Sequence, residues 1–414
     1  MEKKNLKLIG PITQVLTLDH LPLKGALKDE QLEIIQEAGI LLEEGKILQV
    51  GKWKKLPQEF PQAEVFGLKG DFVVLPGLVD CHTHICFGGS RARDFAMRNA
   101  GKSYLEIAEA GGGIWDTVTQ TRKLSWEDLA QKTARNANRH LSEGVTTIEV
   151  KSGYGLSVEE ELKMLRAIAE ADKMTQASLI STCLAAHMKP RDFQGSPRDY
   201  LNVLIDELLP VLKSENLTNR IDAFVEKSAF SPQEIIPYFQ KAKSLGFDLT
   251  VHADQFSTGG SKVAVDLGAL SADHLEASGE TEIHLLAKSE TIAVALPGAS
   301  IGLGCEFTPG RKILDQGGSL AIASDWNPGS APMGDLLTQA SILATFQKLS
   351  TAEVLAGITF RAAAALGLID RGKIAPGFLG DLIAFPTSDY REILYQQGKM
   401  KPELVWKNGQ KIKI

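Results

Sequence analysis

A short β-branched run, a loop and a helix-period segment follow one another eight times in this chain, and that alternation constrains its fold more than any other feature. The strand candidates are Phe72–Leu75 running on through LPGLVD, then Thr146–Val150, Ser178–Leu184, Ile221–Val225, Asp248–Val251, Ser271–His274, Thr291–Ala295 and Leu320–Ala323. The intervening segments carry helix signals. Ser157-Val-Glu-Glu160 and Ser231-Pro-Gln-Glu234 both read as capping boxes, the second with Pro232 at the first helical position. Gly144, Gly246 and Gly268 stand where helices should stop. Eight strands alternating with helices predict a (β/α)8 barrel, with an open doubly wound sheet as the structural alternative.

The two ends of the chain depart from this pattern. ILLEEGKILQVG (40–51) reads as a hairpin turning at Glu44-Gly45, and LVWKNGQKIKI (404–414) as a second around Asn408-Gly409. GDLIAF (380–385) adds another strand. The simplest arrangement pairs the two β-rich ends. Residues 1–71 and 368–414 are thus expected to form one small discontinuous β-sandwich, and residues 72–367 the barrel.

Composition narrows the function by exclusion. A net charge of −6 offers no basic footprint for nucleic acid or an anionic membrane. No run of 18 apolar residues occurs, and MEKKNLKLIGPITQ lacks the apolar core and cleavage site of a signal peptide. Four cysteines (Cys81, Cys86, Cys183, Cys305) in so long a chain are not a disulfide framework. A cytoplasmic protein acting on a small molecule is expected.

The chemistry concentrates at strand ends, where a barrel of this kind displays its working residues. The first strand ends in Asp80-Cys81-His82-Thr83-His84, and a side-chain period of two points His82 and His84 the same way. Of eight histidines, five (His82, His84, His187, His252, His274) fall at predicted strand ends. His20, His140 and His284 read as surface or core fillers. The eighth strand ends in Ser324-Asp325-Trp326, which brings a carboxylate beside the first strand. Three neutral imidazoles and one carboxylate suit Zn2+ with water in the remaining position, and they suit Fe2+ equally. Such an ion lowers the pKa of a bound water from about 16 towards about 7.

These residues resemble the amidohydrolase superfamily, and within it the imidazolonepropionase family of histidine degradation. The resemblance is carried by LPGLVDCHTHI, FGGSRARDFAMR (87–98), GKSYLEIAEAGGGI (101–114), TTIEVKSGYGL (146–156), VHADQ (251–255) and SDWNPGSAP (324–332), and it spans nearly the whole chain. It implies one metal ion per chain, Zn2+ or Fe2+/Fe3+, held by His82, His84, His252 and Asp325. It also implies Arg91, Tyr104, Tyr154 and His187 on the substrate's propionate and ring, a contact at Gln255, and Asn327, Gly329 and Ser330 on the far side. Arg91 offers a planar fork for a carboxylate, and the two tyrosines offer hydroxyls on rigid rings. The glycines at 111–113 read either as a flexible turn or as a close approach of backbone to ligand. The implied reaction is hydrolysis of a lactam. His274 stabilises the developing oxyanion or orients the attacking water, and Asp325 carries the proton from water to the departing nitrogen. A homodimer is also implied.

Two departures stand out. Position 255 holds glutamine where the family has glutamate, and an amide cannot exchange a proton at neutral pH. Met188 follows His187 where a smaller residue is expected. The alternatives are an amidohydrolase acting on another cyclic amide or amidine, which substrate profiling separates, and a non-catalytic binding barrel, which metal analysis separates.

Overall fold

The computed structural model describes residues 5–413, apart from the side chains of Tyr104, Leu105 and Ala108. The chain begins with β1 (Leu6–Leu16), β2 (Ile34–Glu43), β3 (Lys46–Lys52), β4 (Glu64–Gly67) and β5 (Val73–Pro76). The barrel strands follow: β6 (Leu78–Asp80), β7 (Val145–Lys151), β8 (Ser178–Ala186), β9 (Arg220–Val225), β10 (Asp248–Ala253), β11 (Ser271–His274), β12 (Ile292–Ala295) and β13 (Leu320–Ile322). β14 (Leu382–Phe385), β15 (Leu404–Lys407) and β16 (Gln410–Lys411) complete the chain.

β6 to β13 pair in parallel, each with its sequence neighbours. The cylinder closes beyond the ends of β6 and β13, where Thr83 bridges Trp326 in parallel. The backbone N–H groups of Asp325 and His84 donate to the carbonyls of His82 (3.0 Å) and Trp326 (2.9 Å) at that seam. The barrel is therefore as expected, and its seam lies beside the His-x-His pair.

The predicted first strand is in fact two. Val73–Pro76 pairs with β1 and β14, whereas Leu78–Asp80 pairs with β7. The chain crosses from one sheet to the other at Gly77, whose N–H reaches the Asp381 carbonyl at 2.8 Å. Leu78, the next residue, donates to Gly144 on the barrel side at 3.0 Å. A side chain at position 77 would put its Cβ 2.3 Å from Thr146 Oγ1, so only glycine passes there.

The terminal segments do combine, as one mixed sheet in the order β16-β15-β14-β5-β1-β2-β3 with β4 against β1. The strands of this β-domain form one continuous sheet, which encloses a core of its own and also packs on the barrel. Alternation along β5 and β14 explains this. Val74, Leu382 and Ala384 join the sheet's own core with Ile9, Ile40 and Trp406, while Val73, Leu75, Ile383 and Phe385 turn into the barrel's core. Strands apolar at every position are strands buried on both faces. Both hairpins form as expected, with positive φ at Glu44 and Gly45 and again at Asn408 and Gly409.

Of the two capping boxes, Ser231–Glu234 is complete: Glu234 Oε2 accepts from the Ser231 N–H at 2.9 Å and its hydroxyl at 2.7 Å. At Ser157 only half forms, because Glu160 turns its carboxylate to Lys163. Among the described residues no helix is long and apolar enough to cross a membrane. All four cysteines are free.

Candidate metal centre and substrate cavity

The C-terminal ends of the barrel strands bring His82, His84 and His252 together, with their ligand nitrogens within 4.8 Å of one another. His84 Nε2 lies 3.2 Å from His82 Nε2 and 3.3 Å from His252 Nε2. Asp325 Oδ1 stands 3.4 Å from His84 Nε2 and 3.6 Å from His82 Nε2. Donor atoms about 2.0–2.1 Å from a tetrahedral zinc are about 3.3 Å apart, so this spacing fits a shared ion.

The opposite ring nitrogens explain why the lone pairs face inward. His82 Nδ1 is 2.7 Å from Asp273 Oδ2, and His252 Nδ1 is 2.9 Å from Asp222 Oδ2. A carboxylate on Nδ1 fixes the proton there and leaves Nε2 bare. Burial holds the pKa of His82 and His84 well below the ordinary histidine value and lowers that of His252 to about 3. The Nε2 lone pairs of His82 and His252 thus converge on His84 Nε2, whose one proton cannot fully serve both. A cation relieves that conflict.

Lys151 joins the two carboxylates from below. Its Nζ lies 2.7 Å from Glu149 Oε1, 2.8 Å from Asp222 Oδ2 and 3.8 Å from Asp273 Oδ2, with every one of these groups buried. Burial would raise the Asp222 carboxyl, but His252 and Lys151 hold it well below the usual range. None of these four residues was singled out from sequence. The available signal was Glu149 and Lys151, two charges spaced by two in the otherwise apolar run TTIEVK.

Above this floor opens a cavity of about 520 Å³ lined by His84, Arg91, Tyr154, His187, His252, Gln255, His274, Asp325, Asn327, Gly329 and Ser330. The expected site residues thus meet in one place, with two exceptions. His82 sits beneath the others, fully buried. Tyr104 opens the helix Tyr104–Glu109, and its side chain lies outside the described residues. Arg98, Phe224, Ser228 and Phe256 also line the wall and were not anticipated.

Hydrogen bonds define individual residues further. Asn327 faces the cavity, but its amide is committed to its own loop. Its Oδ1 accepts from the N–H groups of Gly329 (2.7 Å) and Ser330 (2.8 Å), and its Nδ2 donates to the Asp325 carbonyl at 2.7 Å. Of the glycines at 111–113, two close on Asp94: Gly113 N–H donates to Asp94 Oδ2 at 2.8 Å, and a Cβ at Gly112 would lie 2.3 Å from Asp94 Oδ1. His187 Nδ1 contacts the Gly153 carbonyl at 2.9 Å, so Nδ1 carries the proton and Nε2 is an acceptor. His140, read as a filler, is indeed buried, packed edge-on against Trp326.

His274 and Asp325 lie in the left-handed backbone region, with φ of 85° and 50°. Non-glycine residues held there store roughly 1–3 kcal/mol each and cluster at working sites. Burial works to lower the His274 pKa, but Glu276 at 3.4 Å, helped by Asp325 and Asp273, raises it above the ordinary value. Its charged form is therefore less disfavoured than in the three rings beside it, whose pKa burial lowers.

A model of the amidohydrolase family matches residues 73–412. The imidazolonepropionase of Bdellovibrio bacteriovorus is 40% identical over 412 residues, covering 98% of this chain and 96% of its own. That of Bacillus cytotoxicus is 39% identical over 408 residues, covering 97% and 95%. The chain belongs to the imidazolonepropionases of the amidohydrolase family. Among solved structures, the adenosine deaminase of Xanthomonas campestris with bound zinc superposes with a TM-score of 0.72 at 19% identity, covering 98% of this chain and 92% of its own. At that identity the likeness extends to the fold alone.

Proposed function

We infer that the chain hydrolyses the ring C–N bond of 4-imidazolone-5-propanoate to N-formimidoyl-L-glutamate, a step of histidine degradation. The observation that carries this reading is the pairing of a cation-ready floor with an arginine wall in one cavity: His82, His84, His252 and Asp325 below, Arg91 to the side. The floor suits a lactam carbonyl and the wall suits a propionate.

We assign the floor to one divalent ion per chain, zinc or iron, since three imidazoles and a carboxylate serve either. When bound, such an ion polarises a carbonyl and makes hydroxide available at neutral pH. The chain's own residues do the rest. Arg91 takes the carboxylate through its free guanidinium nitrogens, its Nε being fixed on Asp94 at 2.8 Å. Tyr154 and His187, with ring centroids 5.7 Å apart, flank the ring. His274, its charged form less disfavoured than in the rings beside it, faces the oxygen on which negative charge develops. Burial raises the Asp325 carboxyl, which makes it a better proton acceptor. It takes the proton of the attacking water and returns it to the departing ring nitrogen. Gln255 contributes an amide contact and no proton. We further propose a cytoplasmic homodimer, in keeping with free cysteines and no membrane-spanning helix.

The test is direct. With 4-imidazolone-5-propanoate generated in situ, the protein is expected to accelerate loss of the ring's ultraviolet absorbance in proportion to its concentration. Decay indistinguishable from the spontaneous rate, in metal-loaded protein, would remove the reading.

A further inference from the structure

Arg98 lies seven residues beyond Arg91, two helical turns along, so the helix Ala92–Asn99 brings both arginines to the same wall. They meet at one residue. Arg98 Nη2 donates to the Gly329 carbonyl at 3.2 Å. Arg91 Nη1 lies against Gly329 as well, only 2.2 Å from where a Cβ would stand. Two guanidinium groups thus share a few ångströms of cavity wall, and like charges so placed repel unless something between them is negative.

The carboxylate nearby does not answer for both. Asp94 Oδ2 holds Arg91 Nε and the Gly113 N–H, each at 2.8 Å, and no hydrogen bond joins it to Arg98. Arg98 Nε is buried and has no hydrogen-bond partner among the described residues. Burial and the charge of Arg91 lower the Arg98 pKa, and Asp94 offsets them only in part. Two cations and one carboxylate leave one positive charge in excess, which matches a single carboxylate entering from the cavity.

We propose that Arg98 is a second guanidinium ligand of the substrate carboxylate, and that with Arg91 it makes the site select ring amides bearing a short acidic side chain. This rests on the lactam-hydrolase reading above. It adds a specificity determinant: the carboxylate enters beside Gly329, where both guanidinium groups lie, and residue 329 must stay glycine to leave Arg91 Nη1 its place.

The experiment compares kcat/KM for 4-imidazolone-5-propanoate with that for its neutral propanamide analogue, in wild type, Arg98→Ala and Arg98→Lys. A lost charge-assisted contact is worth roughly a tenfold or greater change. The acid-over-amide preference is expected to fall by about that factor in Arg98→Ala and by less in Arg98→Lys, mostly through KM. An unchanged preference, with both substrates slowed alike, would show a merely structural arginine and overturn the clamp. Should the alanine variant not fold, the lysine variant carries the same comparison. A second readout needs no turnover: glutarate should raise the melting temperature of wild type more than that of the variant. Equal shifts overturn the proposal even if the enzyme acts on some other acid, whereas a wild type inert towards the imidazolone but stabilised by glutarate overturns only the substrate reading.

Discussion

Asp325→Ala is expected to slow ring opening at least about a hundredfold, the usual worth of a positioned general acid–base group. Three observations support an effect of that size. The carboxylate is buried at the closing seam of the barrel, with its backbone N–H held by the His82 carbonyl at 3.0 Å. Its Oδ1 is within 3.6 Å of two of the imidazole nitrogens, and its Oδ2 is 3.4 Å from Ser330 Oγ. It is also the acidic group best placed to move a proton there, because Gln255 cannot. Asp325→Asn separates shape from proton transfer: it keeps the side chain's outline and is expected to be nearly as slow. Steady-state rates on metal-loaded variants check this. Either variant working at the wild-type rate would remove Asp325 from the mechanism.

Glu161→Ala is expected to lower global stability by several kcal/mol and to cost activity as well. Glu161 is fully buried, and its carboxylate accepts from the backbone N–H groups of Gly153 (3.0 Å), Gly155 (2.8 Å) and Leu156 (2.7 Å). These belong to the loop that presents Tyr154 to the cavity and supplies the carbonyl on which His187 is oriented. Each buried donor left without a partner costs about 1–3 kcal/mol. The sum is a large share of the roughly 5–15 kcal/mol that keeps a native protein folded. Denaturant unfolding would give the loss, and hydrogen exchange at residues 153, 155 and 156 would show whether the loop opens first. An unshifted midpoint would mean that water or a neighbour replaces the carboxylate, contrary to the packing described here.

Much of this was readable before any coordinates. A period of two at His82 and His84, and strand-end placement of His252 and Asp325, suffice to bring four donor groups to one rim once a barrel is granted. What escaped the sequence shares a physical cause. The split between Val73–Pro76 and Leu78–Asp80 depends on which sheet offers hydrogen-bond partners, and two adjacent buried strands look like one apolar run. Asp222 and Asp273 are single acids in apolar strands. Only the register between β9, β10 and β11, with His252 opposite Phe224 and Asp273, sets them behind the ligating rings. Lys151 carries the ordinary signature of a surface lysine, and becomes a buried link only because three carboxylates surround it. Arg98 reads as one more charge on an exposed helix until Gly329 comes up against it from the far end of the chain.

The central claim is that one ion held by His82, His84, His252 and Asp325 drives the chemistry. Stripping the protein with a chelator, then titrating zinc or iron(II) back while following ring opening, tests it most directly. Activity should be absent at the start, rise in proportion to added ion and break sharply at one equivalent per chain. Full activity in the ion-free protein, or a break at two equivalents, would contradict the account.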